Sequence, residues 1–240
     1  MAEFKKCLQK IWESNKHFTL MLYFVIYLAW FAFLEKHVTT HFHVIHMNID
    51  DYIPFCEVFI VPYLLWFAYI AVVIVYMGFK DKKEYFNMCT FLFTGMTLFL
   101  IVSTVFPNGH FLRPISFERD NIFTQLCAKL YETDTATNLF PSIHVYNSIG
   151  VHLAIAHSEK TKNNKPVRLA SGILMVSIIL ATVFLKQHSV FDVITAFVTS
   201  FVVYLMVYIR SWDKVKQTAV ARKARLQERK EEIKKHLPEF

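Results

Sequence analysis

The chain has 240 residues, of which 55% are hydrophobic and only 19% charged, with Phe alone at 24 positions. Soluble chains carry roughly 45–50% apolar and about 25% charged residues. The balance excludes a disordered chain and argues against nucleic-acid binding despite a formal net charge of +7. Four cysteines (Cys7, Cys56, Cys89 and Cys127) lie far apart with no C-x-x-C pair, so neither a disulfide framework nor a thiolate zinc site is implied. The apolar residues fall in long runs, and the chain reads as an all-α polytopic membrane protein with six transmembrane helices in one bundle.

Residues 1–17 place Phe4, Cys7, Leu8, Ile11 and Trp12 at helical spacing, with Lys5, Lys6, Lys10 and Glu13 off that face. This is the pattern of a cytoplasmic amphipathic helix lying on the membrane surface. The six-span region covers 18–210 and begins with a span over 18–35. No small-residue cleavage site follows that span, so it is expected to be a retained anchor. The loop after it carries His37, His41, His43 and His46, a spacing that suits zinc or copper but equally suits solvated loop histidines.

The second span covers 55–79, with Glu57 near its outer end and Pro62 expected to kink it. The third covers 87–106. The loop at 107–140 is the longest connection, and loops of that length usually carry function or structure of their own. Asp120 is expected to cap a helix at 120–131, with Ile122, Phe123, Leu126, Cys127 and Leu130 on one side. That helix and the last span are expected to frame a lateral opening for lipid. Spans at 141–157, 168–187 and 188–210 follow, then a basic cytoplasmic tail at 211–240. The polar residues His144, Asn147 and His152 mark 141–157 as a buried, central span.

Orientation follows from the basic residues. Of the 26 Lys and Arg, 21 lie in the two tails and the 2–3 and 4–5 connections. Only Lys36, Arg113, Arg119, Lys129 and Lys186 lie on the other side. Both termini are therefore expected in the cytoplasm.

On this topology the polar residues gather at one depth near the outer surface. The fourth span starts at Pro141-Ser142-Ile143-His144, and the sixth at His188, four residues before Asp192 on the same helical face. Arg113 hangs in the outer loop, and Lys186 adjoins the start of the sixth span. Two histidines, one Asp, an Arg and a Lys beside two helix N-termini suit phosphoryl transfer. One His serves as a nucleophile held by the carboxylate, the other as a proton donor, and the cations stabilise the phosphoryl oxygens. The same His188–Asp192 spacing also suits a structural pair closing the bundle.

Pro-Ser-Ile-His at 141–144 resembles the Pro-Ser-x-His core of the type 2 phosphatidic acid phosphatase superfamily. Lys-Gln-His-x3-Asp at 186–192 resembles its His-x3-Asp motif, and Arg113-Pro114 the end of its first motif. The resemblance implies catalytic His144, His188 and Asp192, with a phosphohistidine on His188. It also implies phosphate binding by Arg113, and Lys186 and Ser142 are expected as further phosphate ligands; with Asp192 the only carboxylate on the motif face, no metal or other cofactor is expected. Three positions depart from the family: Phe106 in place of a Lys, Ile143 between Ser and His, and Ala181-Thr182 in place of Ser-Arg. These departures resemble a branch of inositol-phosphorylceramide-synthase-like proteins.

The expected activity is a lipid-phosphate phosphatase at the outer face of the cell membrane, with a phosphorylated lipid and the surrounding membrane lipids as partners. A lipid phosphotransferase with an alcohol acceptor is the alternative. A non-enzymatic His-rich metal-binding or transport protein is the second.

Overall fold

A computed structural model describes residues 13–209, together with Arg225 and Arg229. The expected N-terminal surface helix and basic tail lie almost wholly outside the described residues.

A 3-10 segment, Lys16–Leu22, leads into α1 (Tyr23–His37). Then come α2 (Ile60–Lys80), α3 (Lys82–Val105) and α4 (Ile122–Thr133). The chain continues with α5 (Ile143–His157), α6 (Lys165–Phe184) and α7 (Val190–Tyr204), which a π turn extends to Ile209. Two-residue strands, β1 (His43–Val44) and β2 (Asn108–Gly109), pair in parallel, so the chain is mostly helical.

Five helices among the described residues are long and apolar enough to cross a membrane: Glu13–His37, Glu57–Lys80, Lys82–Val105, Lys165–Phe184 and Val190–Ile209. Their outer faces expose Leu22, Val25, Phe67, Val72 and Leu169, large apolar residues that only lipid can cover at no cost. The fourth expected span, 141–157, corresponds to α5, whose 15 residues rise about 22 Å, short of the roughly 30 Å hydrocarbon core. It sits inside the bundle, packed against α2, α3, α6 and α7.

The α3–α5 contact is close because two glycines permit it. A Cβ on Gly95 meets the Tyr146 ring at 2.0 Å, so α5 can press an aromatic ring against bare backbone. Small residues at helix interfaces serve membrane bundles in this way. One polar residue of α5 joins a buried hydrogen-bond chain, while Asn147 Oδ1 is buried without a partner among the described residues. His152 Nδ1 lies 2.9 Å from Ser171 Oγ, which in turn is 2.6 Å from the Tyr69 hydroxyl.

Pro62 is the third residue of α2, just after the 3-10 turn Glu57–Phe59 that leads into it. One local expectation is corrected. Asn121, not Asp120, caps α4: its Oδ1 accepts from the Phe123 and Thr124 amides, while Asp120 accepts from Gln125 Nε2. Of the expected apolar face, Cys127, Phe123 and Leu130 pack inward against a small core containing Ile60, Tyr63, Ala181 and Leu185, while Ile122 and Leu126 are exposed. The helix is held beside α2 and the Glu57–Phe59 turn. Glu57 accepts from Asn121 Nδ2 at 3.1 Å and pairs with Arg119 at 3.3 Å.

At the end of the bundle where α5 and α7 begin, three connecting segments are knitted into one lid. Backbone bonds run from His43 N to Pro107 O, from Ile45 N to Gly109 O and from His110 N to Ala136 O. Asn108 Oδ1 accepts from the amides of both Leu139 and Phe140. Gly109 is required there: a Cβ on it meets the Ala136 carbonyl oxygen at 2.6 Å.

Candidate active site

Three side chains form a line beneath that lid. His188 Nε2 lies 3.4 Å from His144 Nδ1, and His188 Nδ1 lies 3.3 Å from Asp192 Oδ2. Asp192 comes from the first turn of α7, His188 from the turn just before it and His144 from the first turn of α5. The two helix starts are fixed to each other because the Ser142 amide donates to the Asp192 carbonyl at 3.3 Å.

The local sequence explains the placement. Helix α6 ends with the Lys186 amide on the Val183 carbonyl and the Gln187 amide on the Thr182 carbonyl, the two bonds of a Schellman turn. Lys186 holds its left-handed position at φ 51°, where glycine is usual and a side chain costs roughly 1–2 kcal/mol. The turn lets Ser189 cap α7 one residue after His188. Ser189 Oγ accepts from the Phe191 amide, and Asp192 Oδ2 accepts from the Ser189 amide at 3.0 Å. Asp192 thus serves the helix cap and the histidine with one oxygen. Its Oδ1 is buried without a hydrogen-bond partner among the described residues.

This arrangement sets the protons. A carboxylate only accepts, so His188 carries its hydrogen on Nδ1 and presents a lone pair at Nε2. His144 then donates from Nδ1 toward that lone pair. His144 itself is half-buried, with its ring 4.6 Å from that of Tyr63 and 4.3 Å from that of Trp66.

The three expected phosphate ligands sit close by, each already engaged. Arg113 donates through Nη1 to the Asp134 carbonyl at 2.6 Å, and through Nη2 to the Thr135 carbonyl at 3.0 Å and Gln187 Oε1 at 2.7 Å. It also lies 4.7 Å over the Tyr131 ring. Burial pulls its guanidinium below the usual range and pushes the neighbouring Asp134 carboxyl up to about 6, against the opposing pull of each on the other. Lys186 Nζ donates to the Asp50 carbonyl at 2.6 Å, away from the histidine pair. Ser142 Oγ caps α5 through the Val145 amide.

Asp50 is a residue the motif reading missed. It lies in the loop after α1, yet its carboxylate accepts from Ser189 Oγ at 2.6 Å and the Val190 amide at 2.8 Å. The positive end of α7, expected to attract phosphate, is therefore already neutralised by the chain's own carboxylates. Nothing local marks Asp50, because its partners are 139 and 140 residues away.

His110 was missed for the same reason. Its Nδ1 accepts from the Leu112 amide at 3.2 Å, so Nε2 bears the hydrogen and donates to the Gln187 carbonyl at 3.0 Å. The residue before His188 is thereby held in place. Burial, chiefly, lowers the His110 pKa to about 4 from the ordinary 6.5. The neutral form is favoured by folding, so this group's stabilisation is complete above pH 6.5 and is lost as pH falls through 4. The thermal midpoint of detergent-solubilised protein is expected to drop across that window, and to drop less in His110→Asn. Equal drops in the two proteins would exclude His110 as a source.

The four loop histidines do not converge. His46 pairs with Asp51 at 2.9 Å, His37 bonds the Phe33 carbonyl, and His43 stacks on Phe106 with ring centres 4.3 Å apart. Among the described residues no three His, Cys, Asp or Glu side chains are grouped to hold a metal ion.

Residues 118–216 match the family model described as the PAP2 superfamily. The matched stretch contains Ser142, His144, Lys186, His188 and Asp192 and begins beyond Arg113. Members of that superfamily are phosphatases or related phosphotransferases. No curated protein and no solved structure matches the chain.

Proposed function

We propose that the chain is a membrane-embedded lipid phosphatase of the PAP2 kind, acting on a lipid phosphomonoester or diphosphate through a phosphohistidine on His188. The observation that carries this reading is the line His144–His188–Asp192, with contacts of 3.4 and 3.3 Å. The family match over 118–216 supports it independently.

In the first step His188 Nε2 bonds to phosphorus as the bond from phosphorus to the lipid oxygen breaks. His144, entering the step as the imidazolium, gives its Nδ1 proton to that departing oxygen and becomes neutral. Asp192 stabilises the positive imidazole ring so formed, and Arg113 offsets charge on the phosphoryl oxygens. In the second step water attacks phosphorus, His144 takes its proton, and inorganic phosphate leaves with His188 restored. A phosphate seated between the two rings must part them, since the resting contact is a direct one.

The test is phosphate release from a panel of purified lipid phosphates, wild type against His188→Ala. Release by the wild type alone supports the reading. Loss of the substrate phosphate into a new lipid ester, with no free phosphate, would favour the phosphotransferase alternative.

The same proposal includes six spans, with α5 as the shortest, both termini in the cytoplasm and the histidine line near the outer face. The asymmetry of Lys and Arg supports it. Positions 116 and 163 lie in exposed segments on either side of α5. A single cysteine at 116 is expected to react with an impermeant thiol reagent in intact cells, and one at 163 to be spared. The opposite pattern would place the site inside.

A further inference from the structure

We propose that the Gln187 carboxamide is a substrate-binding group that donates to a phosphoryl oxygen, paired with the Nε–H of Arg113. This rests on the phosphate-transfer reading above and extends it to a residue to which the motifs assign no role.

Gln187 is 1% exposed, and every other polar group it owns is already committed. Its amide donates to the Thr182 carbonyl at 2.9 Å, and its carbonyl accepts from His110 Nε2 at 3.0 Å. Its side-chain oxygen accepts from Arg113 Nη2 at 2.7 Å. A guanidinium has no acceptor, so the atom facing it must be the amide oxygen, and the orientation of the carboxamide follows. That leaves Nε2 with two N–H groups, buried, and without a partner among the described residues.

Arg113 is in the same condition. Carbonyls and Gln187 take its terminal nitrogens, while Nε is buried and without a partner among the described residues. Two buried donors on directly bonded side chains, both without acceptors, are an exception to how proteins satisfy polar groups. One of them stands immediately before His188 in the chain. The missing acceptor has the chemistry of an oxyanion carrying several oxygens, and the phosphoryl group bound for His188 Nε2 supplies it. Arg113 contributes the charge, and Gln187 contributes a neutral donor held by three hydrogen bonds, one of them to Arg113 itself.

The experiment uses full-length protein in detergent, with Gln187→Met and Gln187→Glu. Met removes the donor at similar length without adding charge. Glu keeps the acceptor for Arg113, which favours retention of the fold, but loses both donors. The readouts are KM and kcat for phosphate release from a short-chain lipid phosphate, the inhibition constant of orthovanadate, and the thermal midpoint.

Loss of one buried hydrogen bond to a charged group corresponds to about a tenfold or larger change in binding. Gln187→Met is expected to raise the vanadate constant and KM by about tenfold, and Gln187→Glu by more. A lowered thermal midpoint in Gln187→Met with unchanged vanadate and KM values would overturn the proposal, because Gln187 would then serve packing alone. A rise confined to Gln187→Glu would also overturn it, since nearby charge without contact explains that pattern. Wild-type protein that neither releases phosphate nor responds to vanadate would overturn the functional reading itself, and this inference with it.

Discussion

His188→Ala is expected to lower phosphate release by on the order of 10⁴–10⁶, the scale seen when a catalytic nucleophile is removed. The reason is the single lone pair the geometry presents. Asp192 fixes the His188 hydrogen on Nδ1, so Nε2 is the free nitrogen, and it faces His144 at 3.4 Å. No neighbouring side chain can take over, because His144 has its hydrogen-bearing nitrogen on that side. His110 is turned toward the Gln187 carbonyl. The loss is expected with chelator present in both proteins. Activity abolished by chelator in the wild type would require a metal in the reaction and contradict the residue roles assigned here.

The second large effect is expected for Asp192→Asn, a loss on the order of 10²–10⁴ in turnover. Its Oδ2 accepts from both the Ser189 amide and His188 Nδ1. An Asn oxygen can keep either bond, so the helix cap survives in part and the protein should still fold. What disappears is the negative charge facing a phosphorylated, positively charged imidazole. The Asn nitrogen would also replace Oδ1, which has no partner in its buried position. The check is kcat together with the thermal midpoint. A small kcat effect with a large loss of stability would make Asp192 a structural cap and no more.

How much of this was legible differs from residue to residue. His144 could be placed because a helix opens there by local chemistry, although Ser142 caps it and Pro141, expected in the first turn, lies before the cap. His188 and Asp192 followed from i,i+4 spacing, which holds wherever a helix forms. The boundary itself shifted: α7 starts at Val190, since Ser189 takes the cap and leaves His188 in the turn before it. Asp120 and Asn121 are both short polar residues, and only the loop geometry decides which of them caps α4.

The remainder depended on long-range contacts. Asp50 reaches the start of α7 across most of the chain, and no periodicity or motif announces such a pairing. Lys186 fits a left-handed turn that sequence habit reserves for glycine, so its part in shaping the turn before His188 was hidden behind its charge. Arg113 was legible as a cation near the site. That its terminal nitrogens are bound to the carbonyls of Asp134 and Thr135 depends on how the 107–142 segment folds back on itself.

The most direct test of the central claim is to trap the covalent intermediate. Purified protein is mixed briefly with a lipid phosphate carrying radioactive phosphorus, then quenched in alkali and in acid. The account predicts label on the wild-type chain that survives alkali, is lost in acid and is absent from His188→Ala. Label retained by the His188→Ala protein, or a bond stable to acid, would contradict it.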